Sequence, residues 1–314
     1  MTTAIIIGCI IIFTALMYYL TKYFYEFGML RCLKESQLKK VMNSDANAIS
    51  KEQKMIIIRG FRYMDKMPSE DKWIESFDKL KLHGKLYPAP EKSRKFVLCI
   101  HGCRTNAKSE FAPFIRFYHA QGYNVFLPDD RAHGESEGEL IGFGCLDRFD
   151  VVDWAKFLVD EYGEDIEILI QGVSMGAAAS INACGEDNLP KQVMGLVADC
   201  SFTSVIEQFG NSFQSIFHIP KFPFVHLCSL MSKFRGGYSF YEHSPLENSA
   251  KIKVPVLFIQ GDEDNLVKPE MAKRLYDACK ARKEMLIIKG AGHAQCILTE
   301  PKIYKEKIKE FFNM

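Results

Sequence analysis

No C-x-x-C pair occurs in the 314 residues, and the ten cysteines show no regular spacing. Zinc-type ligand spacing is therefore absent, and a disulfide framework, which belongs to short secreted chains, is not expected. Reduced, mostly buried thiols and a reducing compartment are the expectation. An excess of charge of either sign is also lacking: 40 basic and 39 acidic side chains leave a net charge of +1. That balance argues against a nucleic-acid partner, whose affinity would rest on a basic surface. No internal repeat or low-complexity tract is found. The apolar fraction of 47% with 25% charged residues is that of a packed chain, which excludes wholesale disorder.

One local absence carries more weight. From Met1 to Thr21 there is no charged side chain. As a helix, 21 residues reach about 32 Å, enough for a hydrocarbon core. Tyr18, Tyr19, Tyr23 and Tyr25 stand where an interfacial aromatic belt would lie. A cleaved signal peptide would need a basic n-region and a small-x-small cleavage site, and neither is present. Residues 1–21 are therefore expected to form an uncleaved transmembrane anchor. Lys22, Arg31, Lys34, Lys39 and Lys40 follow the span, and the positive-inside rule leans the rest toward the cytoplasm. Residues 22–75 are charged, carry few strand signals, and are expected to form a helical juxtamembrane arm.

From residue 76 strand and helix patterns alternate. Ser76–Leu82 and Lys85–Pro88 read as antiparallel edge strands joined at His83-Gly84. Phe96–Ile100 and Ile166–Ile170 are continuous apolar runs, as expected of strands buried on both faces. Asn124–Leu127, Leu196–Ala198, Val256–Ile259 and Met285–Ile288 supply further strands. Phe111–Gln121, Phe149–Glu161, Met175–Cys184, Glu270–Cys279 and Pro301–Phe312 supply helices. This rhythm predicts an α/β fold: a doubly wound, mostly parallel sheet with helices on both faces. About fifty residues after Ser201 lack a strand pattern. Nine of the 39 residues from Thr203 to Tyr241 are Phe or Tyr, about twice the chain's aromatic fraction. A helical cap insertion over about 203–250 is expected, placed at the strands' carboxyl ends where such sheets bind ligands.

Gly172-Val173-Ser174-Met175-Gly176 fits Gly-x-Ser-x-Gly. It follows a strand and opens an Ala-rich helix, the context of a nucleophile elbow. A serine nucleophile needs a base, and the base an orienting acid. His218, His226 and His243 lie in or beside the cap. His293 ends the loop Gly290-Ala291-Gly292-His293 after the last strand and is the candidate base. For the acid, Asp264 is favoured over Asp262, with Asp199 as a rival just past another strand. The backbone amides of Met175 and Cys103 are the candidate oxyanion donors. The Cys103 thiol has no assigned activator, and His101 reads as a brace for its loop. Asp129–Ser136 reads as a hydrogen-bonded scaffold that positions the elbow, and His133 belongs with it.

On these residues the chain resembles the α/β-hydrolase superfamily, and more narrowly bacterial serine hydrolases with an N-terminal hydrophobic segment. The resemblance covers about residues 75–314. It rests on His101-Gly102, Asp130–Ser136, the elbow at Ser174, Asp199-Cys200-Ser201-Phe202, Gly261 with Asp264 and Val267, and Gly292-His293. Arg235-Gly236-Gly237-Tyr238 and Ser244-Pro245-Leu246 resemble the narrower group. It implies a triad of Ser174, Asp264 and His293, oxyanion donors at Cys103 and Met175, and neither cofactor nor metal. Cys103 is smaller than the residue often found there. The expected activity is hydrolysis of carboxylic esters of apolar acyl groups, small or lipid-derived. A thioesterase, an aminopeptidase-like amidase and an inactive tethered binding protein are the alternatives.

Overall fold

The computed structural model describes residues 1–31 and 49–314. The part of the expected juxtamembrane arm over 32–48 lies outside the described residues. Helix α1 spans Thr2–Met29, longer than the expected 1–21. Among the described residues it is the one helix long and apolar enough to cross a membrane. Nearly all of its first twenty residues are exposed, whereas Thr21, Phe24, Tyr25 and Met29 are buried against the rest of the molecule. Helix α2 (Lys51–Met64) starts at a capping box in which Ser50 and Gln53 satisfy each other's backbone amides.

Among the described residues eight strands form one sheet: β1 (Glu70–Glu75), β2 (Lys81–Tyr87), β3 (Lys95–Ile100), β4 (Tyr123–Pro128), β5 (Glu167–Val173), β6 (Val193–Asp199), β7 (Val256–Gly261) and β8 (Lys283–Ile288). Their order is β1-β2-β4-β3-β5-β6-β7-β8, with β1 and β2 antiparallel and all remaining pairs parallel except β2 with β4. The parallel strands from β3 to β7 are buried almost throughout, which is why their sequences are mostly apolar, with only Asn124, Gln171, Asp199 and Gln260 as buried polar positions among them.

The edge hairpin differs from its expected register. Its turn is Ser76–Leu80, where the Ser76 hydroxyl donates to Asp78 at 2.6 Å and Lys79 adopts φ 71°. His83-Gly84 lies inside β2 instead of at the turn. Gly84 is there for packing: a β-carbon would meet the Phe126 ring at 2.6 Å. The sheet therefore begins at Glu70, within the stretch expected to be a helical arm. Apart from Trp73, charged side chains fill the exposed positions of that edge strand, which hid the pattern.

The helix expected over Phe111–Gln121 is two short helices, α3 (Ala107–Phe111) and α4 (Ile115–Ala120), parted at Pro113, whose nitrogen has no hydrogen to donate. Helices α5 (Asp147–Tyr162), α6 (Met175–Cys184), α10 (Pro269–Ala278) and α12 (Pro301–Phe312) flank the sheet. The short α11 (Cys296–Thr299) leads into α12. One apolar cluster packs α2, α3, α4 and α12 on one face; a second packs α5, α6 and α10 on the other. The insertion forms α7 (Val205–Phe217), α8 (Phe224–Gly236) and α9 (Pro245–Ser249). A third cluster joins α7 and α8 to the end of α1 and to Met175 at the start of α6. The cap and α1 thus meet above the carboxyl ends of the parallel strands.

Candidate active site

Ser174 sits between β5 and α6 with φ 55° and ψ −116°, a conformation a residue with a β-carbon rarely adopts. The turn is held by Ser174 N–H donating to the Asp199 carbonyl at 2.8 Å. The flanking glycines are set by contact. A β-carbon at Gly172 would meet the Gly176 carbonyl oxygen at 2.4 Å, and one at Gly176 would meet the Ile100 carbonyl oxygen at 2.1 Å. Strand, turn and helix can close this tightly only without those side chains.

His293 arrives from the loop after β8. Its Nε2 lies 2.8 Å from Ser174 Oγ and its Nδ1 2.8 Å from Asp264 Oδ2. Ser174, Asp264 and His293, separated by up to 119 positions, are thus brought together in one line. Asp264 is fixed on every side. Its Oδ1 accepts the Leu266 and Val267 amides at 2.9 and 2.8 Å, and its Oδ2 also accepts from Gln260 Nε2 at 3.0 Å. That pattern leaves Nδ1 of His293 as the donor to Asp264 and Nε2 as the acceptor facing the serine hydroxyl. The line can pass a proton from hydroxyl to imidazole while the carboxylate steadies the imidazolium.

The rival carboxylates do other things. Asp262 Oδ1 accepts the Gly290 amide at 2.7 Å and so shapes the loop that carries His293. Asp199 is buried behind the histidine and accepts the Tyr304 hydroxyl at 2.9 Å. Its Oδ1 has no partner among the described residues, and burial pushes its carboxyl up to about 7, against the opposing pull of that hydroxyl. Of the other histidines, His226 meets Tyr241 and His243 meets Arg148, while His218 ends α7. None of the three contacts the serine.

Met175 opens the ten-residue helix α6, so its amide is one of that helix's N-terminal donors beside Ser174. The loop of Cys103 is braced from below. His101 Nδ1 donates to the Gly102 carbonyl at 2.7 Å, and its Nε2 accepts the Asp130 amide at 3.0 Å. His133 donates through Nδ1 to the Arg131 carbonyl and accepts the Arg104 amide on Nε2 at 3.1 Å. Burial, with His101 nearby, drives the His133 imidazole down to about 3, so it stays a neutral brace. Arg131 anchors this scaffold through Asp78 and Asp150, with Arg131 and Asp150 both buried.

Two cavities border Ser174 and His293. One of about 280 Å³ is mainly apolar and is lined by Ser174, Met175, Cys103, the cap residues Phe209 and Phe213, and Phe24, Phe27 and Gly28 of α1. The other, about 230 Å³, lies on the far side of His293 and takes in Glu110 and Asp199. Burial raises the Glu110 carboxyl, against a weak contact from the Gly102 amide. The contribution of α1 and the second carboxylate pair were not foreseen from sequence.

Among the described residues, Cys200, Asp264 and His293 offer ligand atoms within 4.8 Å of one another. Burial pushes the Cys200 thiol well above its usual range, and Asp264 and His293 are already hydrogen-bonded to each other.

A mostly parallel sheet, a helical cap and a Gly-x-Ser-x-Gly turn facing a histidine define an α/β hydrolase. The chain belongs to the family described as serine aminopeptidase, S33, whose model matches residues 91–222 and 226–302. It is 27% identical over 225 residues to the uncharacterized protein YqkD of Bacillus subtilis, covering 72% of this chain and 73% of that one. It is similar in structure to the Pyrococcus furiosus esterase Pf2001, with a TM-score of 0.65 and 28% identity over 79% of this chain and 91% of that one. A puromycin-hydrolyzing peptidase of Mycobacterium tuberculosis shares the fold, with a TM-score of 0.58 and 19% identity over 79% of this chain and 39% of that one.

Proposed function

We propose that the protein is a membrane-anchored serine esterase that cleaves carboxylic esters of apolar acyl groups through an acyl-enzyme. Ser174 attacks the ester carbonyl while His293 Nε2 takes its proton. The amides of Cys103 and Met175 receive the developing oxyanion. His293 then returns the proton to the leaving alcohol, and water repeats the sequence to release the acid. Asp264 keeps the imidazole in the required tautomer. The observation that carries this reading is the continuous line of two 2.8 Å contacts from Ser174 through His293 to Asp264, ending beside an apolar cavity. No cofactor enters the scheme, and its partners are the ester and, through α1, the bilayer. The lysines and arginine after the span lean the catalytic domain toward the cytoplasm.

The test is hydrolysis of p-nitrophenyl acyl esters and labelling by a fluorophosphonate probe. Wild-type protein should do both. Ser174→Ala should lose labelling and retain less than about a thousandth of the turnover, since removing such a nucleophile costs on the order of 10⁶. Turnover above that level, or labelling at another residue, would move the chemistry elsewhere. Vesicle flotation tests the anchor: the full chain should float, and a chain lacking residues 1–21 should not.

A second reading, an aminopeptidase-like amidase, is favoured by the cavity beyond His293. Glu110 and Asp199 there could pair with a substrate's α-amino group once ionised. Faster turnover of an aminoacyl p-nitroanilide than of p-nitrophenyl butyrate would select it.

A further inference from the structure

Where a membrane helix acts only as a tether, its sequence could be exchanged without changing what the enzyme accepts. Helix α1 is not placed that way. Its last turns are folded into the hydrolase: Thr21, Phe24, Tyr25 and Met29 are buried, and the chain bridges at Leu30 to Leu140. The Arg31 guanidinium donates to the carbonyls of Gly134 and Ser136 at 2.7 and 2.6 Å. On the inner side of the same turns, Phe24, Phe27 and Gly28 line the cavity that opens on Ser174. Phe27 lies under the Arg104 guanidinium at 4.5 Å, next to Cys103. One turn earlier, Phe24 meets the Phe213 ring of the cap at 5.1 Å. The lining therefore follows α1 from the serine toward its apolar N-terminal part.

We propose that the end of α1 is one wall of the acyl-binding site and that the substrate is a monoacyl amphiphile whose single chain lies along this helix. The inference rests on the esterase reading and names its substrate class. The cavity's volume of about 280 Å³ is just below the range of about 300–1,000 Å³ typical of ligand sites, which suits one chain and not two. Its lining is apolar apart from Ser174, Arg104, Gln208 and Ser212, so discrimination comes from chain length and burial. Gly28 sets the depth. A β-carbon there would stand 3.0 Å from the Phe209 ring, and a larger side chain would project into the space between α1 and α7.

The experiment uses the full chain in detergent micelles and follows the ratio of kcat/KM for p-nitrophenyl dodecanoate to that for p-nitrophenyl acetate. Gly28→Leu should lower this ratio about tenfold or more, the scale at which a hydrophobic pocket reads chain size. Phe27→Ala, which removes wall instead of adding it, should shift the optimum to longer chains. Phe13→Ala, on the exposed part of α1, should leave the ratio unchanged. Binding of dodecanoate to the Ser174→Ala protein, with and without Gly28→Leu, gives a readout independent of turnover. Weaker binding on Gly28→Leu supports the wall even if ester hydrolysis itself fails, in which case the catalytic reading alone falls. If Gly28→Leu and Phe27→Ala both keep the wild-type ratio, and dodecanoate binding ignores Gly28, α1 is only a tether.

Discussion

Replacing Asp264 with Asn tests the proton line at its most constrained point. The Oδ1 position receives two backbone amides, from Leu266 and Val267, and an NH₂ group cannot accept either of them. The substituted side chain must therefore keep its oxygen there and turn its NH₂ toward His293 Nδ1, 2.8 Å away. The histidine then accepts at Nδ1 and carries its proton on Nε2, so it faces Ser174 as a donor and no longer as a base. Gln260 offers no escape. Turning its amide over would present the unpartnered Oε1 to the new NH₂, but would pull Nε2 away from the Gly261 and Val267 carbonyls. An Asp-to-Asn change that enforces this wrong tautomer lowers kcat by about 10⁴. At about 1.4 kcal/mol per decade that is roughly 5–6 kcal/mol of barrier. The assay is p-nitrophenyl butyrate hydrolysis with fluorophosphonate labelling rates, alongside thermal melts to show that the variant is folded. Asp262→Asn is the comparison, because it keeps an acceptor for the Gly290 amide and should change turnover by less than about threefold. A folded Asp264→Asn protein within about tenfold of wild type, or one matched by Asp262→Asn, would refute the reasoning.

Three further outcomes are expected. Asp199 is protonated more readily in the folded chain, where its carboxyl titrates near 7, than in the unfolded one; its contribution to stability is therefore present at low pH and is lost as pH rises from about 4 through 7. Melting curves from about pH 5 to about pH 8 should show Asp199→Asn gaining on wild type toward the alkaline end, and a constant difference would contradict this. Gly176→Ala should destabilise by about 1–3 kcal/mol or more in urea titrations, because its β-carbon would sit 2.1 Å from the Ile100 carbonyl oxygen; wild-type stability would mean that the elbow is looser than described. Arg131→Ala should cost about 3–5 kcal/mol in the same titration at about pH 8, since it removes the partner of the buried Asp150, whose carboxyl burial already pushes up to about 7; a loss below about 1 kcal/mol would show that protonation or water replaces the pair.

The elements that were legible in sequence are those written in local signals. Helices Met175–Cys184 and Pro301–Phe312 occupy the residues expected of them, and the buried strands announce themselves as mostly apolar runs. The meeting of Ser174 with His293 was readable because glycines mark a strand-to-helix turn and a loop past the last strand. The choice of Asp264 over Asp262 followed from loop position. The structure adds a physical reason: two backbone amides hold one carboxylate against the histidine, while the other is taken up by the Gly290 amide. The hairpin register was misread because a glycine can mean a turn or a near neighbour, and at residue 84 the neighbour is Phe126. The partnership of Phe24 with Phe213 joins residues far apart in the chain, and no periodicity on either helix encodes it. The same is true of Glu110 and Asp199, which only the folded chain sets around His293.

Arg31 and Phe27 grip the same short stretch from opposite ends. Arg31 holds the carbonyls on either side of Glu135, His133 in that loop receives the Arg104 amide, and the Arg104 guanidinium rests on Phe27. These contacts form a closed ring that passes within one residue of Cys103. A sideways shift of the N-terminal helix would pass through these contacts to the peptide group beside Cys103, so in the proposed reaction it would also displace the amide assigned to the oxyanion.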